Sequence, residues 1–214
     1  MIVTELSKGT KLYLLVGGKG TRLKSVTDTP KPLVDTCGIR FIERVLSNLK
    51  GFDITLVCSS LNEEWFKDID CDVISEGEPS GTGGWLKKVD LPDEFYVMNG
   101  DTFFSGEFSI DTDTSTIFCT YEEIVGDEGY VEGENNQVQQ FIEKNPEAIG
   151  KKKLVNAGIY KLYKKDIHLP DKMTISMEYD ILPNVNLSYR VIDTRKFDIG
   201  TPERLETFKQ WLIS

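Results

Sequence analysis

Short apolar runs alternate with amphipathic stretches through the first hundred residues, and nothing else in the sequence constrains the fold as strongly. Residues 11–16, 53–59, 71–75 and 94–101 read as strands, each ending in glycine or small polar residues. Between them, residues 41–49 place Phe41, Ile42, Val45, Leu46 and Leu49 on one helical face. Residues 62–69, opened by Asn62 as a cap, and "WLKKV" at 85–89 read as further short helices. Strands alternating with helices predict βαβ units and a parallel sheet, with ligand loops at the C-terminal strand ends. Beyond residue 100 the pattern changes. Residues 115–121, 129–133, 137–143 and 154–163 are strand-like with few helices between them, which predicts an antiparallel addition to the sheet. Lys151–Lys153 reads as a solvated turn. A closing helix is expected after Thr201 (N-cap) and Pro202 (first helical position), with Leu205, Phe208, Trp211 and Leu212 as its apolar stripe. No repeat, low-complexity tract or long linker interrupts the chain. The expectation is one α/β domain over residues 1–214, a mixed central sheet flanked by helices.

Charge and cysteine content narrow the function. A net charge of −10 argues against a general binder of nucleic acid or of anionic membranes. The first apolar run, Leu12 to Val16, is too short for a signal core or a membrane span, so a cytoplasmic protein is expected. Cys37, Cys58, Cys71 and Cys119 form no CxxC pair and read as reduced thiols. His168 is the sole histidine, which excludes multi-histidine metal sites and reads as a surface residue.

Against this acidic background, "LYLLVGGKGTRLK" (12–24) and "TPKPLV" (29–34) concentrate cations on a glycine turn. Between Gly17 and Lys31 stand Lys19, Arg22, Lys24 and Lys31 against Asp28 alone. Glycines let backbone N–H groups approach a ligand closely, so a phosphate chain suits this segment. The order is wrong for a P-loop, and Leu23 stands where a dinucleotide fingerprint needs its third glycine.

"GGKGTRL" followed by "PKPL" resembles the signature of the sugar-1-phosphate nucleotidylyltransferases. So do "EPSGTGG" (78–84), "NGDTFF" (99–104), "FIEK" (141–144), "NAGIY" (156–160), "SMEYDILP" (176–183) and "FDIGTPE" (197–203), in the family's order across nearly the whole chain. The pattern is most similar to the bacterial heptose-1-phosphate guanylyltransferase branch. The loop departs from the family pattern at Val16-Gly17-Gly18. Asp127, Glu128 and Tyr130 surround Gly129, where the family often has an arginine.

The resemblance implies a Rossmann-like nucleotidyltransferase fold, with an NTP-binding half over about residues 1–110 and a sugar-phosphate half over about 111–214. The implied reaction joins an NTP, GTP by preference, to a heptose or hexose 1-phosphate and releases pyrophosphate. The attacking phosphate is largely dianionic at neutral pH (second pKa ~6), so no general base is needed. By the same resemblance Gly17, Gly18, Gly20 and Thr21 cradle the triphosphate. Arg22 neutralises the departing pyrophosphate and Lys31 the α-phosphate. Asp101 and Asp198 ligate one Mg²⁺, Asp101 serving catalysis as well. Glu78, Gly81, Thr82 and Gly83 face the base. Gly129, Glu143, Lys144, Asn156 and Gly158 hold the sugar phosphate. Glu178 reads either as a support of the sugar pocket or as a structural cap. Alternatives are an enzyme using UTP, dTTP or CTP, or a catalytically weak nucleotide- or sugar-phosphate-binding module. A metal-dependent glycosyltransferase would need a strand-terminal DxD, and "DTD" (111–113) lies in a polar turn. The partners expected are the two small-molecule substrates, with self-association left open.

Overall fold

The computed structural model describes residues 2–3, 9–18, 21–23 and 25–214, with the backbone alone for Ile2, Val3 and Thr21. The strands are β1 (Ile2–Val3), β2 (Thr10–Leu15), β3 (Phe52–Cys58), β4 (Asp72–Ser75), β5 (Glu94–Asn99), β6 (Thr102–Phe104), β7 (Phe108–Ser109), β8 (Thr116–Glu123), β9 (Tyr130–Glu134), β10 (Gln137–Ile142), β11 (Lys152–Tyr163), β12 (Ser188–Val191) and β13 (Lys196–Asp198). The α-helices are α1 (Phe41–Asn48) and α2 (Pro202–Ile213).

Nine of these strands form one mixed sheet in the order β4-β3-β2-β5-β11-β8-β12-β10-β9. The β4-β3-β2-β5 half is parallel throughout. β11 then runs antiparallel to both β5 and β8. Both faces of the parallel half are covered, which explains its continuous apolar runs. Leu12, Leu14, Leu56, Tyr96 and Met98 pack toward α1 and α2. The alternate residues Tyr13, Val57, Phe95 and Val97 pack toward Trp85, Ile175 and Met177. β2 lies between β3 and β5, so the chain reverses its direction of strand addition there. In open α/β sheets ligands bind at that crevice, beyond the C-terminal ends of the strands.

Several short elements differ from the sequence expectation. Residues 62–69 and 85–89 form only 3₁₀ turns, Glu63–Phe66 and Gly84–Lys88, too short to sustain an α-helix. Lys152 and Lys153 open β11 rather than forming a turn, and lie opposite Glu123 and Glu122. Such cross-strand charge pairs favour the strand. β6 and β13, three residues each, pair as an antiparallel ribbon that the sequence pattern did not reveal. Between Asn156 and Tyr160, β11 carries four steps of chain against two of β8, from Cys119 to Ile117, which makes a bulge. Gly158 stands in that bulge at φ +72°. Cys58 and Cys119 are buried free thiols and Cys37 is exposed. No helix among the described residues is long and apolar enough to cross a membrane.

α2 begins as expected, with the Thr201 hydroxyl accepting from the Arg204 N–H at 3.3 Å. Phe208 on this helix meets Phe41, Phe103, Phe197 and Trp211 at ring separations of 5.2–5.9 Å. The ribbon of β6 and β13 therefore rests on the aromatic face of α2. Truncating Phe208 to Ala should cost about 3–5 kcal/mol, as for other fully buried aromatics. Denaturant unfolding of the variant checks this; a loss below ~1 kcal/mol would contradict the cluster's structural role.

Candidate active site

Bare Cα atoms draw three strand ends together. A Cβ on Gly17, just past β2, would fall 3.0 Å from the Ser59 nitrogen beyond β3. A Cβ on Gly100, just past β5, would fall 2.6 Å from the Leu15 carbonyl oxygen. The Gly100 N–H donates to that carbonyl at 2.9 Å. A cavity of about 520 Å³ opens at this point, and Gly17, Gly18, Lys31, Gly81, Thr82 and Asp101 all line it. Gly20, with Lys19 and Lys24, lies outside the described residues, as does the side chain of Thr21.

Lys31 sits between Pro30 and Pro32 on a 3₁₀ turn, and its Nζ is 2.7 Å from Asp101 Oδ2. Asp198 joins them through the ribbon: it pairs with Thr102, and the next amide, Ile199 N–H, donates to the Asp101 carbonyl at 3.1 Å. Asp198 Oδ1 accepts from the Gly200 N–H at 2.7 Å and Oδ2 from Arg204 Nη1 at 2.6 Å. Arg204 also binds Glu128. A Cβ on Gly200 would meet Asp198 Oδ1 at 2.7 Å and Lys31 Nζ at 3.9 Å, so its absence lets the two groups share the space. Asp198 thus lies on the ribbon opposite Thr102, and Asp101 immediately precedes the ribbon. Their hard oxygens suit Mg²⁺, which commonly takes one or two carboxylates and completes its shell with phosphate and water. No cluster of three or more ligand side chains occurs among the described residues.

Arg22 does not line the cavity. It is exposed and its Nη1 lies 3.3 Å from Asp127 Oδ2. Exposed pairs of this kind contribute ~0–1 kcal/mol, so this one is readily exchanged.

On the base side the geometry revises one assignment. Glu78 is exposed and stands outside the cavity wall, whereas Glu76 is 7% exposed and lines it. Glu76 accepts from the Ser80 hydroxyl, and its carbonyl accepts from Lys88 Nζ. Glu76 immediately follows β4, and that strand-end position was the signal available in the sequence. Gly83 is buried against Ile175, to whose carbonyl its N–H donates at 2.8 Å, so it anchors the loop rather than facing the cavity. Gly81, at φ +86°, would place a Cβ 2.3 Å from the same carbonyl. Trp85, missed as a site residue, lines the cavity and donates through Nε1 to the Thr82 carbonyl at 3.0 Å.

The predicted sugar residues assemble around the β11 bulge. The Asn156 N–H donates to the Gly129 carbonyl at 2.8 Å. Asn156 Nδ2 donates to the Tyr160 hydroxyl at 2.6 Å, and Oδ1 accepts from the Gly158 N–H at 2.8 Å. A Cβ on Gly158 would fall 2.8 Å from Asn99 Nδ2, and Asn99 lines the cavity, so this wall adjoins the cavity. Glu143 lies over Gly129, whose Cβ would overlap its Oε1. Burial pushes the Glu143 carboxyl up to about 7, with Glu178 and Asp127 adding to the shift and Lys144 opposing it. Lys144, at φ +52°, is exposed and makes no ion pair among the described residues.

No family model matches the chain. A D-glycero-alpha-D-manno-heptose 1-phosphate guanylyltransferase from Campylobacter jejuni is 33% identical over 89% of this chain and 94% of its own length. A bifunctional sugar-1-phosphate nucleotidylyltransferase/acetyltransferase from Sulfurisphaera tokodaii is 32% identical over 95% of this chain, which spans only 55% of that protein. The crystal structure of HddC from Yersinia pseudotuberculosis is 30% identical, with a TM-score of 0.73 over 95% of this chain and 99% of that one; the same protein has been solved complexed with GMP-PN.

The raised Glu143 pKa has a consequence for stability. Between 4.5, its ordinary value, and about 7 the folded state binds more protons here than the unfolded chain. Its contribution is therefore fully present below pH 4.5 and is lost as pH rises through 7. Glu143→Gln should gain stability relative to the parent across that window in denaturant titrations. A pH-independent difference would show that Glu143 does not titrate abnormally.

Proposed function

The chain belongs to the sugar-1-phosphate nucleotidylyltransferase family, and from that premise we propose that it transfers the guanylyl group of GTP to a heptose or hexose 1-phosphate in the cytoplasm. The observation that carries this reading is the cluster of Lys31, Asp101 and Asp198 at the strand ends, beside the glycine turn. Lys31 and Asp101 line the cavity, and Asp198 lines the neighbouring cleft together with Glu128 and Arg204.

A sugar-phosphate oxygen attacks the α-phosphorus of GTP, the α–β bridging P–O bond breaks, and pyrophosphate leaves with the bond's electrons. The attacking oxygen needs no proton removed, since a phosphate monoester is already largely ionised at neutral pH. The obstacle is repulsion between two polyanions, and positioning with positive charge answers it. Lys31 moves from Asp101 toward the α-phosphate and meets the charge that grows there. Arg22 exchanges Asp127 for the β- and γ-phosphates. The N–H groups of Gly17 and Gly18 face the same polyphosphate. Asp101 and Asp198 would hold Mg²⁺, which would supply further neutralisation of the phosphates when bound.

Glu76 reads the base in place of Glu78. A carboxylate accepts from guanine N1–H and the 2-amino group together, a pair adenine lacks. Glu143 and Glu178 accept from sugar hydroxyls, Asn156 and the Gly129 and Gly158 backbone shape the pocket, and Lys144 approaches the sugar phosphate. The buried thiols of Cys58 and Cys119 suit a reducing compartment.

Pyrophosphate release with four nucleoside triphosphates and a panel of hexose and heptose 1-phosphates tests the proposal, and GTP with one sugar class should dominate. Lys31→Ala and Asp101→Asn should each lower kcat by ~10²-fold or more with the fold intact. Full activity in both, or in the presence of excess EDTA, would remove the electrostatic mechanism. Glu76→Gln should narrow the kcat/KM preference for GTP over ATP by roughly tenfold, whereas Glu78→Gln should leave it unchanged.

A further inference from the structure

Thr82 belongs by sequence to the base loop, yet its hydroxyl is already committed elsewhere. Its Oγ1 donates to Glu178 Oε2 at 2.8 Å and accepts from the Met177 N–H at 2.8 Å. A hydroxyl has one proton to give, and here Glu178 takes it. The Ser176 hydroxyl donates to the same Glu178 oxygen at 2.8 Å. Two hydroxyls therefore fix Oε2, while Oε1 receives no hydrogen bond from the described residues. Glu178 lines the cavity and exerts its charge on Glu143 and on the Tyr160 hydroxyl, which Asn156 binds. It stands between the base loop and the sugar wall.

We propose that Thr82 is a positioning residue for the sugar 1-phosphate rather than a reader of the nucleotide. Its hydroxyl pins one oxygen of Glu178 and leaves the other aimed at a sugar hydroxyl. The loop is seated well enough for this task. Gly83 N–H donates to the Ile175 carbonyl and Ile175 N–H to the Ser80 carbonyl, each at 2.8 Å, so the loop is tied to the 175–178 segment. Ser176 holds Oε2 from its own side of the site, and Thr82 is the group that reaches across. The base loop therefore contributes its backbone and Glu76 to the nucleotide, and its threonine hydroxyl to the other substrate.

This inference rests on the proposed reaction, and one set of measurements separates the two. Steady-state KM values for GTP and for α-D-mannose 1-phosphate and heptose 1-phosphate are compared in the parent, Thr82→Val, Thr82→Ser and Glu178→Gln, with GTP affinity measured by calorimetry. Thr82→Val should raise the sugar 1-phosphate KM roughly tenfold, the loss of one hydrogen bond to a charged group. GTP affinity should stay within about twofold, because the hydroxyl does not serve the nucleotide. Thr82→Ser should restore the sugar KM. In a Glu178→Gln background Thr82→Val should add little, since the two act through one contact. Weakened GTP affinity in Thr82→Val with an unchanged sugar KM would overturn the inference and leave the reaction standing. A parent enzyme that released no pyrophosphate with any sugar 1-phosphate would instead overturn the reaction, and the inference with it.

Discussion

Holding several cations at one point of a strongly acidic molecule is the constraint on which the site depends. Three of these cations are paired with carboxylates. Lys31 pairs with Asp101, Arg204 with Asp198 and Glu128, and Arg22 with Asp127. The pairs order the side chains before a ligand arrives, and none is fully buried, so each can be rearranged. In the proposed reaction, a polyanion entering the glycine turn would meet charges already in place and displace carboxylates from them. On that reading the acidic partners would serve the phosphate chemistry rather than oppose it.

The second dependence is mechanical. Asp101 and Asp198 lie on or beside a ribbon only three residues long on each strand, too short to be rigid alone. Phe103 and Phe197 on that ribbon pack on Phe208 and Trp211 of α2. The same helix carries Arg204, which holds Asp198. A stack of aromatic rings behind the ribbon therefore sets the position of both carboxylates.

Much of the architecture was legible because the parallel strands are apolar on both faces and bounded by glycine or polar residues. Residues 11–16 and 53–59 were read within one residue of β2 and β3 at either end. The helix at Phe41–Asn48 and the Thr201 cap followed from periodicity and capping chemistry. The ribbon escaped because three residues carry no period. β12 escaped because "SYRV" is half exposed and gains its register from β8, far away in sequence. Lys152 and Lys153 looked like a turn because their stabilising partners, Glu122, Glu123 and Glu132, come from other strands. At the site, motif order led to loops that line the cavity, but not to which carboxylate of a Glu-x-Glu pair turns inward. That choice between Glu76 and Glu78 is set by where β4 ends. The commitment of the Thr82 hydroxyl to Glu178 spans 96 residues and has no local signature.

The bulge in β11 has an evolutionary corollary. It inserts two residues opposite β8 between Asn156 and Tyr160, and the strand then resumes its alternation with Tyr160 and Leu162 buried on one face and Ile159 on the other. Removing a single residue there would invert that alternation for the rest of the strand and turn core residues to the wrong side. Descendants of this chain can retune the wall around Asn156 by exchanging side chains, but a change of length by one residue at this position would scramble the middle of the sheet.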